Sequence, residues 1–335
     1  MQVLVTGGTG FIGSFVVEAL LRANHQVCCL VLPGEDLQWI NHLKVDTYDG
    51  DLRQIDSLYD AVKGVDYIYH LAGVKTAWSE ESYFTTNLGG TKNLFEACLK
   101  TNESLKRFIY ISSQAAAGPS VDGRSVTEED PCRPITAYGR SKRAAEEYLQ
   151  DHFDRIPITI LRPALVYGPR DTDVWTFFKM VRRGLMLKIH KQEQYLNFIY
   201  VDDLARGILL AGGHEKADGQ TYFITSQERY TWVEIAQTIW RILGKRGVQV
   251  SVPMSLLRLV LGGVKLYLRL RDQPTTLIND KAQELLQSYW LCSGEKAERD
   301  LGFTPQITLE EGLAETIRWY ETYPGAQRLQ VIVYR

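Results

Sequence analysis

Short, largely apolar runs alternate along the first half of the chain with stretches whose apolar residues recur at helical spacing. The runs lie at 2–5, 26–32, 45–48, 66–71, 108–111 and 158–161. A buried parallel strand is a short continuous apolar run, whereas an amphipathic helix repeats its apolar positions every three or four residues. The alternation therefore predicts an α/β fold, with a parallel sheet that is covered by helices on both faces.

Helical spacing dominates the second half. Trp175, Phe178 and Val181 predict a helix over 174–184, and capping boxes at 231–234 and 308–311 open two further helices. Residues 254–270 are rich in leucine but contain three basic residues, so they are too charged to cross a bilayer. For this stretch we favour packing against the rest of the C-terminal half. The alternatives are a lid over a lipophilic substrate and contact with a membrane surface.

A glycine-rich turn, Thr6-Gly7-Gly8-Thr9-Gly10-Phe11-Ile12-Gly13, follows the first apolar run directly and precedes a helical pattern. In that setting Gly7 permits a tight turn, Gly10 lets the backbone approach a pyrophosphate, and Gly13 lets the helix pack closely on the strand. The free N–H groups of the first helical turn, at Phe11 and Ile12, would face the phosphates. The pattern favours a dinucleotide site of Rossmann type over a flexible glycine loop.

The end of the second strand bears on which dinucleotide binds. About 20 residues past the glycines, a Rossmann domain usually has an acid for the ribose or a base for a 2′-phosphate. Leu32 is neither, but Glu35 and Asp36 follow it and would repel a 2′-phosphate. We therefore expect NAD or NADP, with NAD slightly favoured. Asp51 is expected to bind the adenine amino group or to cap a helix, and the two roles are compatible.

These patterns divide the chain by role. We expect a doubly wound parallel sheet followed by a smaller, mostly helical C-terminal substrate domain. The NAD(P)-binding domain is predicted to cover 1–170 and to return at about 196–225, and the substrate domain to cover 171–195 and about 226–325. The tail at 326–335 is expected to add a strand to a partner or to be disordered.

Tyr138 and Lys142 lie four residues apart, which places them on one face of a helix. A phenol keeps its proton up to pH ~10, and a nearby ammonium lowers that pKa, so the pair can exchange a proton. Ser113 ends a strand, at the edge where ligands bind in open parallel sheets. Its hydroxyl is placed to polarise a carbonyl group. The alternative is a turn-capping serine, a role that suits Ser112 better.

Composition narrows the range of partners. The 335 residues include 38 basic and 40 acidic ones without a basic block, so nucleic acid is not an expected partner. The five cysteines form no C-x-x-C motif and the six histidines lack ligand spacing, which predicts free thiols and no metal. A strand expected at Gln2 leaves no room for a signal peptide, and no apolar run is long enough for a membrane span. We expect a cytoplasmic protein with a small-molecule substrate.

Five motifs occur in the order and at the spacing of one known family. They are the turn at 6–13, Asp51-Leu52, His70-Leu71-Ala72-Gly73, Ser112-Ser113 and Tyr138-x-x-x-Lys142. From residue 2 to about 320 the chain resembles the extended short-chain dehydrogenase/reductases. These include nucleotide-sugar epimerases and dehydratases, 3β-hydroxysteroid dehydrogenases and dihydroflavonol reductases. The resemblance implies a Rossmann-type fold, NAD(P) and a homodimer.

Residue roles follow from the resemblance. Ser113 aligns with the carbonyl-polarising serine, Tyr138 with the acid/base, and Lys142 with the residue that binds the nicotinamide ribose and tunes the tyrosine. Asn87 matches a structural asparagine near the site. The implied cofactor-binding residues are Gly7, Gly10, Phe11, Ile12, Gly13, Leu32, Asp51, Leu52, Leu71, Ala72, Gly73, Asn87, Ser112, Tyr138, Lys142 and Pro163. The candidate substrate-binding residues are Lys75, Trp78, Thr136 and Arg170.

The turn after Pro163 departs from the nucleotide-sugar branch of that family. Those enzymes usually carry an asparagine there, whereas this chain has Ala164, Leu165 and Val166, as in the steroid dehydrogenase and flavonol reductase branches. The expected function is therefore NAD(P)-dependent interconversion of a secondary alcohol and a ketone. Two alternatives stay open: a nucleotide-sugar epimerase or dehydratase that keeps its NAD bound, and a non-catalytic dinucleotide sensor.

Overall fold

The structure, a computed structural model, describes residues 1–188, 193–271, 273 and 276–323, so the expected tail at 326–335 lies outside the described residues. The strands are β1 (Gln2–Thr6), β2 (Gln26–Val31), β3 (Asp46–Asp49), β4 (Tyr67–His70), β5 (Arg107–Ile111), β6 (Ile158–Pro163), β7 (Leu165–Tyr167), β8 (Leu185–Lys188), β9 (Tyr195–Leu196), β10 (Phe198–Tyr200), β11 (Gln220–Ile224), β12 (Tyr230–Thr231), β13 (Val248–Ser251) and β14 (Tyr289–Trp290).

The α-helices are α1 (Phe11–Arg22), α2 (Tyr59–Val62), α3 (Glu80–Tyr83), α4 (Gly90–Thr101), α5 (Gln114–Ala117), α6 (Ala137–Gln150), α7 (Thr172–Arg182), α8 (Val201–Gly213), α9 (Trp232–Ile242), α10 (Met254–Leu270), α11 (Thr276–Leu286), α12 (Glu295–Leu301) and α13 (Leu309–Thr322). A π-helical segment, Phe84–Gly89, leads into α4, and single 3-10 turns lie at Ile55–Ser57 and Glu215–Ala217.

Seven strands form the main sheet, in the order β3-β2-β1-β4-β5-β6-β11. All neighbours are parallel; Val5 of β1, for example, lies between Cys29 of β2 and Tyr69 of β4. The strand order reverses between β1 and β4, which creates a crevice at their carboxyl ends. The predicted doubly wound parallel sheet is confirmed.

Two hydrophobic cores cover the two faces of this sheet. Val3 and Val5 belong to the core that contains Phe15 of α1 and Leu204 of α8, whereas Leu4 belongs to the core that contains residues of α4 and α6. Successive side chains of a strand point to opposite faces. A continuous apolar run such as β1 is therefore buried on both sides, as the sequence predicts.

The C-terminal half contains more strands than its sequence predicts. β7 pairs with β10, β8 with β13, and β9 with both β12 and β14. These strands have two to four residues, which is too short for a period of two to be recognised in the sequence. The helices α7, α9 and α13 pack beside them.

Helix α10 coincides with the leucine-rich stretch and is unevenly buried. Leu257, Leu261 and Leu268 are half-buried, whereas Leu259 and Tyr267 are among seven exposed apolar side chains of the helix. Our expectation that α10 packs against the rest of the C-terminal half therefore holds for one side only. Within the described ranges, no helix has the length and hydropathy of a bilayer span. In the same ranges no three histidine, cysteine or carboxylate groups gather as metal ligands would.

Candidate active site

Two glycines shape the turn after β1. Gly7 has a φ of +72°, in the left-handed region that favours glycine. A Cβ on Gly7 would lie 2.7 Å from the backbone nitrogen of Ala72, and a Cβ on Gly13 would lie 2.0 Å from the carbonyl oxygen of Gly7. The tight turn and the close helix packing that the glycine spacing predicts are both present.

Around Gly10 the turn leaves room for a ligand. The nearest atom to a Cβ on Gly10 would be the carbonyl oxygen of Gly7, at 3.4 Å. Helix α1 begins at Phe11, so the N–H groups of Phe11 and Ile12 have no partner within the helix. At the end of β5, the Ser112 hydroxyl is buried without a hydrogen-bond partner among the described residues. An open turn, free N–H groups and an orphaned buried hydroxyl fit a bound dinucleotide.

A carboxylate lies beside this turn where β2 ends. Glu35 accepts hydrogen bonds from the Thr9 hydroxyl at 2.5 Å and from the Leu32 backbone N–H at 2.9 Å. An acid in this place is suited to the adenosine ribose. Asp51 is held by the Arg53 guanidinium at 2.7–3.0 Å, and these hydrogen bonds lower the pKa of its carboxyl.

A chain of buried hydrogen bonds fixes the backbone after β4. The Ala72 N–H donates to the Thr6 hydroxyl, which lies 2.7 Å from Nδ1 of His70. On the other side of the ring, Nε2 lies 2.9 Å from the Thr91 hydroxyl, which donates to the Asn87 carbonyl. Because Thr91 has one hydroxyl proton, it accepts from Nε2–H, and Thr6 donates to Nδ1. Burial lowers the pKa of His70 to about 3, so the ring is neutral.

Asn87 links the same loop to α6. Its Oδ1 accepts from the Val74 N–H at 2.8 Å, and its Nδ2 donates to the Val74 carbonyl and to the Ser141 hydroxyl at 3.0 and 2.9 Å. A Cβ on Gly73 would lie 2.8 Å from Oδ1 of Asn87 and 3.5 Å from Nζ of Lys142. The amide of Asn87 thus braces the site, which agrees with the structural role that the resemblance implies.

The first turn of α6 is held from two directions. Thr136 is the N-cap, and its hydroxyl accepts from the Gly139 N–H at 3.0 Å. The carboxylate of Asp280, on α11, accepts from the Ala137 N–H at 3.0 and 3.1 Å and from the Tyr138 N–H at 3.4 Å. Burial raises the pKa of Asp280, and these hydrogen bonds partly offset that effect. A carboxylate at a helix N-terminus also complements the helix dipole.

Ser113, Tyr138 and Lys142 meet near the carboxyl end of β5. The side chain of Ser113 is close enough to Tyr138 to lower the pKa of its phenol. Ser113 also accepts from the Ala115 N–H at 3.1 Å, so it caps α5 as well. Lys142, one turn further along α6, is buried and donates to the carbonyl of Ile111, the last residue of β5, at 2.8 Å.

The acidity of Tyr138 is set mainly by burial. Burial raises the pKa of Tyr138 above its ordinary value of 10, while the charge of Lys75 and the side chain of Ser113 act in the opposite direction. Burial lowers the pKa of Lys142 to about 8. We expected Lys142 to be the ammonium that lowers the Tyr138 pKa. In the described part of the chain the charge of Lys75 has that effect, and the Lys142 ammonium donates to the Ile111 carbonyl.

Comparison with known proteins places this arrangement in a family. The model of the NAD dependent epimerase/dehydratase family matches residues 3–225, more than half of the chain. The chain belongs to the NAD-dependent epimerase/dehydratase family.

Similar proteins extend over nearly the whole chain. A 3 beta-hydroxysteroid dehydrogenase/Delta 5→4-isomerase of Mycobacterium tuberculosis is 29% identical over 346 residues, 95% of this chain and 90% of the relative. An uncharacterized protein of Sinorhizobium fredii is 31% identical over 338 residues, 95% and 94% of the two chains. The structure of a UDP-glucose 4-epimerase from Thermotoga maritima with UDP-glucose has a TM-score of 0.79 at 25% identity, over 96% of this chain and 99% of that one. The chain is thus an enzyme of this NAD-dependent family, an oxidoreductase or an epimerase.

Most of the cofactor candidates lie at one edge of this family's sheet. Leu32 follows β2, residues 71–73 form the turn after β4, Ser112 follows β5, and Pro163 ends β6, all at carboxyl ends of parallel strands. Leu52 differs, because its side chain is in the hydrophobic core, where a Cβ on Gly90 would lie 3.0 Å from it.

Two of the four substrate candidates lie where the prediction requires. Lys75 is exposed, and its charge is close enough to Tyr138 to lower the pKa of the phenol. Trp78 is half-buried three residues further along the same loop. Both follow β4 at the edge that carries the catalytic candidates.

The other two candidates make hydrogen bonds within the protein. The Thr136 hydroxyl is buried as the cap of α6. Arg170 is bound to α1, where its guanidinium donates to Glu18 at 2.7 Å and to Ser14 at 2.9 Å and lies over the ring of Phe15. The chain turns back on α1 after β7, and this contact could not be foreseen from residue order.

Two groups that support the site were not found from the sequence. Asp280 is 142 residues from Tyr138 and belongs to no motif. Arg162 of β6 and Glu146 of α6 form a buried ion pair, with Nε–Oε1 and Nη2–Oε2 distances of 2.9 and 2.6 Å. The one available signal was an arginine within an otherwise apolar strand, since a buried charge requires a partner.

Proposed function

We propose that this enzyme interconverts a secondary alcohol and a ketone by hydride transfer between the substrate and NAD(P). The observation that carries the proposal is the convergence of three side chains at the carboxyl edge of the sheet: the Ser113 side chain acts on the phenol of Tyr138, and Lys142, one helical turn away, donates to the carbonyl of Ile111. A bound nicotinamide supplies or accepts the hydride. The protein must then hold the substrate oxygen and move its proton.

Tyr138 and Ser113 share that task. In ketone reduction, Tyr138 donates its proton to the substrate oxygen, and Ser113 donates a hydrogen bond to the same atom as negative charge develops on it. Because burial raises the pKa of Tyr138, the phenol is protonated throughout the neutral range, which suits reduction. Alcohol oxidation needs the phenolate, so its rate rises with pH. Lys142 is assigned to the nicotinamide ribose.

We assign a weakly polar alcohol or ketone as the substrate. Ala164 is buried, and Leu165 and Val166 are half-buried in β7, where the nucleotide-sugar branch carries an asparagine. The similarity to a 3β-hydroxysteroid dehydrogenase supports the same class of substrate. Lys75 and Trp78, on the loop after β4, are assigned to its polar end and its ring or chain, respectively.

The division of the chain by role is part of the proposal. Residues 1–170 with about 196–225 bind the cofactor, and 171–195 with about 226–325 bind the substrate. Helix α8 packs on α1, and β11 extends the main sheet beside β6, which supports placing 196–225 with the cofactor part. NAD is preferred over NADP because Glu35 lies beside the glycine turn. A homodimer is proposed on the resemblance alone, and light scattering tests it.

The second candidate is a nucleotide-sugar epimerase that keeps its NAD bound. It is supported by the fold shared with UDP-glucose 4-epimerase over nearly the full length. A non-catalytic sensor does not suit a chain whose family consists of enzymes.

Release of the cofactor separates the two candidates. The purified protein is denatured, and any dinucleotide released is identified and quantified. We expect little bound dinucleotide, reversible binding of added NADH, and NAD-dependent oxidation of a 3β-hydroxysteroid but no conversion of UDP-glucose. Near-stoichiometric NAD together with conversion of UDP-glucose would replace the dehydrogenase by the epimerase.

A further inference from the structure

The exposed apolar side chains of this protein are concentrated in one region. Among the described residues, 16 large hydrophobic side chains are exposed, and 11 of them lie on α10, β8 and β13. Single exposed apolar residues are normal on a protein surface, whereas a contiguous group marks an interaction site. The active site does not account for this group.

The exposed residues of α10 form one stripe. Leu256, Leu259, Val260, Val264 and Tyr267 recur at spacings of three and four, so they share one side of the helix, which we name the apolar face of α10. The side chain of Leu259 is 72% exposed. Leu270, also exposed, falls within this face, and the exposed Leu266 flanks it.

The two-stranded sheet before α10 repeats the pattern. In the parallel register, Val248 is beside Leu185 and Val250 beside Leu187. All four side chains are exposed and share one side of the sheet, because alternate residues of a strand point the same way. Met186, between two of them, is buried on the other side. Only two residues separate β13 from α10, so the two exposed apolar groups follow each other directly along the chain.

The same segments are basic. Residues 174–188 and 245–271 contain ten lysines and arginines and no aspartate or glutamate, although the chain as a whole has 38 basic and 40 acidic residues. On α10, Arg258 and Lys265 fall on the side opposite the apolar face, given 3.6 residues per turn. An apolar stripe with lysine and arginine on the other side is the pattern of a helix that lies in a membrane interface.

We propose that the apolar face of α10, with the exposed side of the β8–β13 sheet, docks this enzyme on an anionic lipid surface. The apolar side chains enter the boundary between headgroups and acyl chains, and the basic residues face the anionic headgroups. A second copy of the chain fits the face less well, because a symmetric contact presents the same segments of both copies to each other, and these segments contain no aspartate or glutamate that could pair with their ten basic residues.

Vesicle co-sedimentation tests the proposal. We expect the full chain to bind vesicles of equal parts phosphatidylglycerol and phosphatidylcholine, to bind pure phosphatidylcholine much less, and to be released by salt. The triple variant Leu259→Gln/Val260→Gln/Tyr267→Gln is expected to bind the anionic vesicles at least about tenfold more weakly. Arg258→Gln and Lys265→Gln should each weaken binding about fivefold.

Val121→Gln is the matched control, because Val121 is 79% exposed but lies outside this region. Its vesicle binding should equal that of the wild type, and all variants should keep the wild-type circular dichroism, since only exposed side chains and the half-buried Lys265 change. Equal binding by the triple variant, equal binding to neutral vesicles, or no binding by the wild type would overturn the proposal. Vesicle binding that is seen only after residues 324–335 are deleted would also overturn the proposal. The same holds if the wild type forms a dimer but binds no vesicles, and the triple variant abolishes that dimer.

Discussion

The Ser113 side chain acts on the phenol of Tyr138, and the ring centroid of Tyr83 lies 6.2 Å from that of Tyr138. Tyr138→Phe keeps the ring and removes only the proton that the proposed reaction transfers. We expect kcat to fall by about 10²- to 10⁴-fold, with the Kd of NADH unchanged. Stopped-flow kinetics measures kcat, and fluorescence titration measures the Kd of NADH.

Tyr83→Phe is the control for that variant, since the Tyr83 hydroxyl donates to the Lys75 carbonyl and transfers no proton in the proposed reaction. It should retain turnover within a few-fold. If Tyr138→Phe also retained turnover, Tyr138 would not be the acid/base.

The second prediction at the residue scale concerns Lys75. Its charge lowers the pKa of Tyr138, so Lys75→Met should raise that pKa. Alcohol oxidation needs the phenolate, and its rate rises as pH passes the Tyr138 pKa. The rise of kcat/KM with pH for alcohol oxidation should therefore move to higher pH, by about 0.5 to 1 unit. Lys63→Met is the control, because Lys63 is an exposed lysine that precedes β4, whereas Lys75 follows it; this variant should leave the pH profile unchanged. An unchanged profile in Lys75→Met would contradict the effect of Lys75 on the Tyr138 pKa.

The third prediction at the residue scale concerns Glu35. Its carboxylate lies beside the glycine turn and would repel a 2′-phosphate. In Glu35→Gln the ratio of the Kd of NADPH to that of NADH should fall about tenfold, measured by fluorescence titration. Asp36→Asn is the matched control, because Asp36 accepts a hydrogen bond from the Gln38 N–H and not from Thr9. A loss of preference in both variants would show a general charge effect.

Among individual residues, those site residues that belong to short motifs can be predicted from the sequence. The glycine turn and the pair Tyr138 and Lys142 are determined by spacing along a strand and a helix, which local geometry translates directly into space. The proximity of Lys75 to Tyr138 and the contact of Arg170 with Glu18 depend on how loops cross the sheet edge. No local pattern encodes that path.

Helix α6 is the element on which the site depends, and Asp280 holds its first turn. Asp280→Ala would leave the N–H groups of Ala137 and Tyr138 without this acceptor, at a cost of about 1 kcal/mol in the free energy of unfolding. We expect kcat to fall about tenfold with the Kd of NADH unchanged, because the phenol is displaced and the glycine turn is not.

Asp280→Asn keeps an acceptor oxygen and should restore most of the lost turnover. If Asp280→Ala lowered stability but left kcat intact, Asp280 would be structural only. The sequence identifies α6 from its own residues, whereas the capping carboxylate comes from α11 and becomes visible only in the folded protein.

For the whole molecule, the buried pair of Arg162 and Glu146 joins the main sheet to the layer of helices that includes α6. Glu146→Gln leaves the Arg162 charge buried without its counter-ion, and we expect the free energy of unfolding to fall by about 3–5 kcal/mol. Urea unfolding measures it. The double variant Glu146→Leu/Arg162→Met should recover most of that loss, because two apolar side chains replace the pair. A small loss in Glu146→Gln would show that water reaches Arg162.

The overall architecture is the part most completely predicted from the sequence. Runs such as 2–5 and 108–111 are buried on both faces, so each reads as a strand without knowledge of its neighbours. The small sheets of the C-terminal half were missed, because strands such as β9 and β12 have two residues each and exist only through pairing.

The carboxylate that α11 places at the start of α6 also has a consequence for protein engineering. Consider a chimaera that joins the cofactor part of this chain to the substrate part of a relative. The N–H groups of Ala137 and Tyr138 at the start of α6 then lack a carboxylate acceptor, unless the relative has an acidic residue at the position of Asp280. Recombination libraries screened for new specificity should therefore exchange α11 and α6 together. Libraries that cut between them will be enriched in folded hybrids with lowered turnover.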